Sequence, residues 1–429
     1  MVEQLRRRHF LRQLGVSAVA GPLLPARVWG VEPNFTGDFL LYIQVDGGWD
    51  VASYCDPKMN PSEGRPINNW AKEASIQSAG NLHFAPIANN AEFFQTHYEK
   101  TLVINGINAR TNIHSAGAHF NHTGSIDNHM PHLAALYAYE ASPNMAMPVM
   151  ASSQFEAAGL ITPAALNPAA LELINPNLWD PASGDTLRYL PKDDLSLIRT
   201  FRQVQAGKAA NQISTINLLQ KQKQQMLDYY RAAIADTHGF EHFQDVFYEL
   251  NEGKFKANRY TTTLKTALTA FKSGLGIAAD VPIKGFDTHE EHDLQFAERV
   301  TLLNDAVSCA WHYAEQLGIA NRLVVVMASD FGRAPWYNRQ NGKDHWPYGS
   351  TLVMKKNMAW TNRVVGYTDE GHVGQPINPF TLNVDKMNGV EIEPGHVMQA
   401  LRQLLGLANS ESAAKFQLAI EQEFNFFNT

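Results

Sequence analysis

Asp46, Asp287 and Asp330 each close an apolar run of strand length, and His114, His289, His292 and His345 lie close to such ends. Carboxylate and imidazole together form the ligand set of a borderline divalent ion such as zinc; calcium and manganese also accept the carboxylates. The densest stretch is Asp287-Thr288-His289-Glu290-Glu291-His292-Asp293, where an acid and two imidazoles fall close together. Asp287 is also a sound helix N-cap with an acidic turn behind it, so this stretch has a structural reading beside the metal one. One aspartate at a strand end is common. Three, each joined to histidine, read as one metal-centred site assembled from distant parts of the chain. Arg333 follows Asp330 closely, and its planar fork suits either a non-bridging substrate oxygen or a structural carboxylate partner.

These side chains need elements that bring them to one edge. The valine-rich run at residues 323–327 has the pattern of a strand buried on both faces. Residues 39–45 repeat that grammar before Asp46-Gly47-Gly48, and residues 101–105 and 281–286 form two more such runs. In an open α/β sheet, ligands bind beyond the carboxyl ends of the strands, which is where all three aspartates fall. The histidine-dense segment at residues 112–124 starts as a helix at His114, whose first turn favours anions. His114 and Ser115 are its candidate catalytic residues. A further helix is expected over residues 294–317, and His345 sits in a loop able to fold over the same edge. The fold class is therefore α/β, a mostly parallel sheet between helices. Three- and four-residue apolar spacing at residues 195–205, 211–236 and 260–274 predicts a helical insertion within about 140–280.

Bulk properties narrow the partners. The chain has 429 residues, is 45% hydrophobic and carries a net charge of -7, enough for a large core and poorly suited to non-specific nucleic-acid binding. Arg7-Arg8-His9-Phe10-Leu11-Arg12 has the twin-arginine export pattern, followed by a weakly apolar stretch too short and interrupted to span a bilayer. Residues 1–30 are read as a twin-arginine signal peptide, with the translocase as export partner and a periplasmic or exported destination. Cys55 and Cys309 are the only cysteines and could pair in an oxidising compartment.

The stretches Ser329-Asp330-Phe331-Gly332-Arg333-Ala334-Pro335, Asp344-His345-Trp346 and Gly366-Tyr367-Thr368-Asp369 resemble those of a widespread exported bacterial family. That family is the domain of unknown function numbered fifteen hundred and one, in the alkaline phosphatase/sulfatase superfamily. The resemblance implies an alkaline-phosphatase-like single domain over residues 38–407, with a C-terminal tail helix at 408–429. It implies two metal positions: Asp46 and Asp330 at one, and Asp287, His289 or His292, and His345 at the other. The nucleophile position would lie near His114 or Ser115. Two cations about 4 Å apart clamp the attacking and leaving oxygens of a displacement at phosphorus or sulfur. The function implied is metal-dependent hydrolysis or transfer of phosphate or sulfate esters. The alternative is a non-catalytic periplasmic binding or assembly protein that keeps the fold and ligands. Many members carry serine before the histidine, whereas this chain has Ile113, which favours the non-catalytic alternative, while the full set of aspartates and histidines favours the hydrolase.

Overall fold

The computed structural model describes residues 35–142, 145, 147–151 and 155–166, scattered positions between 200 and 249, and 250–427. Residues 1–30 and most of the helical stretches expected at 195–205 and 211–236 lie outside the described residues. In chain order come β1 (Phe39–Asp46), β2 (Gln77–Ala79), β3 (Leu82–Phe84), α1 (Asn90–His97) and β4 (Thr101–Asn108). Then follow α2 (His114–Thr123), α3 (Leu133–Ala141), β5 (Val149–Ala151), β6 (Ala164–Ala165), α4 (Arg259–Lys272) and β7 (Ala278–Lys284). The second half holds α5 (His292–Gln316), β8 (Leu323–Ser329), β9 (Gly332–Arg333), β10 (His345–Trp346), β11 (Tyr348–Met354) and β12 (Arg363–Val365). It closes with α6 (Pro394–Leu404) and α7 (Glu411–Lys415), so the expected tail helix is a single short turn of chain.

Eight described strands make one sheet in the order β12-β4-β11-β8-β1-β7-β5-β6. β1 pairs in parallel with both β7 and β8, while β11 runs antiparallel to β4 and β8. β1 is central and buried along its length up to Asp46, as its apolar sequence requires. β5 pairs with β7 only as far as Asp280, so Pro282 has no β5 neighbour that would need its missing N–H.

Alternation along β1 sends its side chains to two helical layers. Phe39 stacks on Phe271 of α4 with ring centroids 5.1 Å apart, and Tyr42 packs on His122 of α2 at 4.7 Å. α1, α4 and α5 form the first layer, and α2, α3 and α6 the second. Cys55 and Cys309 are buried, free thiols and make no disulfide. No described helix is long and apolar enough to cross a membrane.

The carboxyl ends of β1, β7 and β8 share one edge of the sheet. β11 runs the other way, so its first residues, just after His345, start at that edge too. Phe286 N–H donates to the Asp46 carbonyl at 3.1 Å, tying the chain after β7 to the end of β1.

Candidate metal centre

Helix α2 approaches β8 closely because residue 117 is glycine: a Cβ there would collide with the Asp330 carbonyl oxygen. Asn121 holds the approach, its amide donating to that oxygen at 3.2 Å and to the Gly117 carbonyl at 3.1 Å. His114, on the first turn of α2, thereby meets the Asp330 carboxylate, with Nδ1 2.5 Å from Oδ2. Gly47, at φ +118°, makes the turn after β1 that a side chain would strain. That turn presents the Gly47 and Gly48 N–H groups to Asp330 at 3.1 and 3.2 Å.

Asp287 Oδ1 is the hub of the centre. It lies 3.5 Å from His114 Nε2, 3.0 Å from His289 Nε2 and 3.3 Å from His345 Nε2. His289 Nε2 and His345 Nε2 stand 3.0 Å apart. The candidate ligand atoms of His114, Asp287 and His345 all lie within 4.8 Å of one another. Atoms held about 2.1 Å from a tetrahedral zinc-like ion are about 3.4 Å apart, so these spacings are those of a coordination shell.

The opposite nitrogens of the three rings are all anchored to acceptors. His114 Nδ1 faces Asp330, His289 Nδ1 faces Asp344 Oδ1 at 3.1 Å, and His345 Nδ1 faces the Asn112 carbonyl at 2.8 Å. An acceptor at Nδ1 fixes the proton there and turns the Nε2 lone pair inward, the arrangement found around ligating histidines. Phe331 walls the rings of His114 and His345 at 4.7 Å from each. Asp287 is about half exposed, so the centre is open to solvent.

The charges agree with that geometry. The hydrogen bond to Asp330 leads in raising the His114 pKa above the usual histidine value. Burial lowers that of His345. Burial alone would raise Asp287, but the hydrogen bond and charge of Arg333, with His114 and His289, bring it below the usual carboxylate range.

Other expected ligands stand elsewhere. Asp330 is buried, and its oxygens accept from Gly47, Gly48, Ser329 Oγ at 3.1 Å, Gln44 Nε2 at 3.4 Å and His114. A carboxylate has about four lone-pair sites, so these contacts largely fill those of Asp330, and its Oδ2 holds His114 Nδ1. Asp46 does not join the group; burial, then the nearby Asp330 charge, raise its pKa. His292 is not brought there either. It is buried between Asp50 Oδ2 at 2.9 Å and Thr288 Oγ1 at 2.7 Å, beside the Lys343–Asp50 ion pair at 2.7 Å. Ser115 is exposed and joins none of the centre's contacts.

Arg333, expected either as a contact to a substrate oxygen or as a structural ion pair, makes the contacts of the structural reading. Its Nε donates to the Gly48 carbonyl at 2.8 Å, and Nη1 to the Lys343 carbonyl at 2.9 Å and toward His289 Nε2 at 3.4 Å. Nη2 donates to the Gly47 carbonyl and to Asp287 Oδ1 at 2.5 Å. All five guanidinium N–H groups are taken. Asp344, Asn112 and Phe331 were not legible as site residues; the Asp344-His345 adjacency was the one available signal.

Sheet and centre together define an α/β protein with a histidine–aspartate cluster beyond the carboxyl edge of a mostly parallel sheet. The chain belongs to the family described as "Protein of unknown function (DUF1501)", whose model matches residues 39–388. No curated protein matches the chain. Among solved structures, it is similar to an alkaline phosphatase from the Antarctic bacterium TAB5, at 10% identity over 87% of this chain and 99% of that one, with a TM-score of 0.38. It is also similar to the lipoteichoic acid synthase LtaP from Listeria monocytogenes, at 9% identity over 88% and 74% of the two chains, TM-score 0.37. A third is a phosphonate monoester hydrolase of Agrobacterium radiobacter, at 10% identity over 86% and 74%, TM-score 0.31. These are likenesses of chain course; the chemistry must be argued from the side chains.

Proposed function

We propose that the chain is an exported, metal-dependent hydrolase or transferase acting on phosphate or sulfate esters. One observation carries the metal part of the reading: three histidines anchored at Nδ1 turn their Nε2 atoms toward Asp287 Oδ1. Their mixed nitrogen and oxygen donors fit a zinc-type ion, which His114, Asp287 and His345 would hold with His289 adjacent. When bound, such an ion supplies Lewis acidity toward a phosphoryl or sulfuryl oxygen and acidifies water. The chain's own part is orientation. Asp330 keeps the His114 proton on Nδ1, Arg333 fixes Asp287, and Phe331 holds two of the rings. No serine precedes His114, and Ser115 points about a quarter-turn away on the helix, so the attacking oxygen is assigned to water. Export rests on Arg7-Arg8-His9-Phe10-Leu11-Arg12, which addresses the chain to the twin-arginine translocase and the periplasm.

The test is hydrolysis of aryl phosphate, bis-aryl phosphate and aryl sulfate by protein loaded with zinc, manganese or calcium. Turnover of one class, lost in Asp287→Ala and His345→Ala, supports the proposal. A second reading, a non-catalytic binding or assembly protein, is favoured by the commitment of every Arg333 donor to the protein itself. Metal-loaded protein inert toward all three ester classes decides for it.

A further inference from the structure

A second cluster of metal-ligating side chains lies inside the molecule, between the sheet and α2. Asp280 of β7 is 2% exposed, and His122 of α2 and the α3 N-cap residue His132 are each 6% exposed. Asp280 Oδ2 is 3.0 Å from His122 Nε2 and 3.5 Å from His132 Nδ1, and the two imidazoles stack at 4.2 Å. These three ligand atoms lie within 4.8 Å of one another. None of them has a hydrogen-bond partner among the described residues. Three orphaned polar atoms, nearly sealed from solvent and aimed at one point, demand an occupant.

The proton arithmetic narrows that occupant. His122 Nδ1 faces the Ala118 carbonyl at 2.8 Å, and a carbonyl only accepts, so the ring carries its proton there. A neutral His122 then turns its Nε2 lone pair on the Asp280 carboxylate, acceptor against acceptor. A second proton on His122 would relieve that pair. It would leave His132 Nδ1 at 3.5 Å from the oxygen, too far for a sound hydrogen bond.

We propose that His122 Nε2, His132 Nδ1 and Asp280 Oδ2 form a second, structural binding site for a zinc-type divalent cation. A cation answers all three atoms at once, and the donor set and spacing suit zinc. The site is walled by Tyr42 on His122 at 4.7 Å and Phe155 on His132 at 4.7 Å. An ion this deeply enclosed is out of reach of a substrate, so its part is structural. Its effect is to pin α2, α3 and β7 together. α2 also carries His114, so the buried ion braces the helix that feeds the open centre.

Zinc per chain, measured by plasma mass spectrometry after zinc loading and gel filtration, tests this without any activity assay. The Asp287→Ala/His345→Ala variant, disabled at the open centre, is expected to keep roughly one equivalent. Adding His132→Gln or His122→Gln in that background is expected to remove it. Cobalt loaded into the Asp287→Ala/His345→Ala protein should give visible bands of a nitrogen–oxygen site, a readout that needs no buried substitution. If the open centre binds no ion, wild-type protein still holds one equivalent that is lost only with His122 or His132. A double variant with no zinc and no cobalt spectrum overturns the proposal and leaves a proton on His122 as the occupant. So does an ion that survives the His122 and His132 substitutions.

Discussion

Replacing Asp330 with asparagine separates a metal ligand from the residue that aims one. The carboxylate takes His114 Nδ1 on Oδ2 at 2.5 Å, with the Gly47 N–H 3.2 Å from the same oxygen, while Oδ1 faces Gly47 N–H, Gly48 N–H, Ser329 Oγ and Gln44 Nε2 at 3.1–3.4 Å. An asparagine must turn its NH₂ to one side or the other. The Oδ1 side is crowded with donors, so the NH₂ is expected to face His114. That makes Nδ1 an acceptor, moves the imidazole proton to Nε2 and turns a hydrogen rather than a lone pair toward Asp287. Loss of such an orienting partner weakens metal binding about 10–100-fold, or about 1.4–2.7 kcal/mol. Removing a ligand, as in His345→Ala, should cost more. Competition with a chromophoric chelator in a His132→Gln background, which silences the buried site, measures both. Asp330→Asn as damaging as His345→Ala would make Asp330 a direct ligand. An unchanged affinity would show that aiming His114 contributes nothing.

Other consequences follow from the same geometry. Lys343→Met leaves the buried Asp50 carboxylate with His292 and the Ala52 N–H but no fixed cation, and is expected to cost about 3 kcal/mol at neutral pH, the low end for a broken buried pair, read by chemical denaturation. Burial raises the Asp50 pKa, but Lys343 and His292 outweigh it and hold the carboxyl well below its usual range. That stabilisation is therefore complete above the ordinary carboxylate pKa of about 4 and is lost as pH falls through lower values. A gap between wild type and Lys343→Met that stays constant into acid would refute the assignment. Ser115→Ala should keep most of any ester hydrolysis while His114→Ala loses it; a covalent phospho- or sulfo-adduct trapped on Ser115 would contradict this. Arg7→Lys with Arg8→Lys should strand the precursor in the cytoplasm, and fractionation that finds it in the periplasm unchanged would disprove the export signal.

Much of the sheet could be read from the chain because β1, β4, β7 and β8 are buried on both faces and therefore mostly apolar. β11 was missed because Tyr348-Gly349-Ser350-Thr351 begins it with mixed polarity straight after Pro347, and its antiparallel course is a tertiary fact. β5 and β6 are too short for any periodicity to show. At the open centre, Asp287, His289 and His345 were expected as metal ligands and His114 as a catalytic residue, from residue type and from their places at strand and helix ends, and the structure brings the four together. Asp330 was expected as a metal ligand; its enclosure by glycine N–H groups could not be read, because every sequence carries such groups unseen. His292 was drawn into the ligand list by spacing alone, yet the start of α5 turns it inward to Asp50. The His122–His132–Asp280 cluster was not legible as a site, although His122 lies in the histidine-dense segment, because a lone aspartate inside an apolar strand meets its histidines only once β7 lies beneath α2.

The central claim is that an ion sits among His114, Asp287 and His345. Anomalous diffraction at the zinc absorption edge, from crystals of zinc-loaded protein, tests it most directly. The account predicts a peak about 2.0–2.2 Å from His114 Nε2, Asp287 Oδ1 and His345 Nε2. A peak coordinated instead by Asp46 and Asp330, or no peak beyond the carboxyl edge of the sheet, would contradict it.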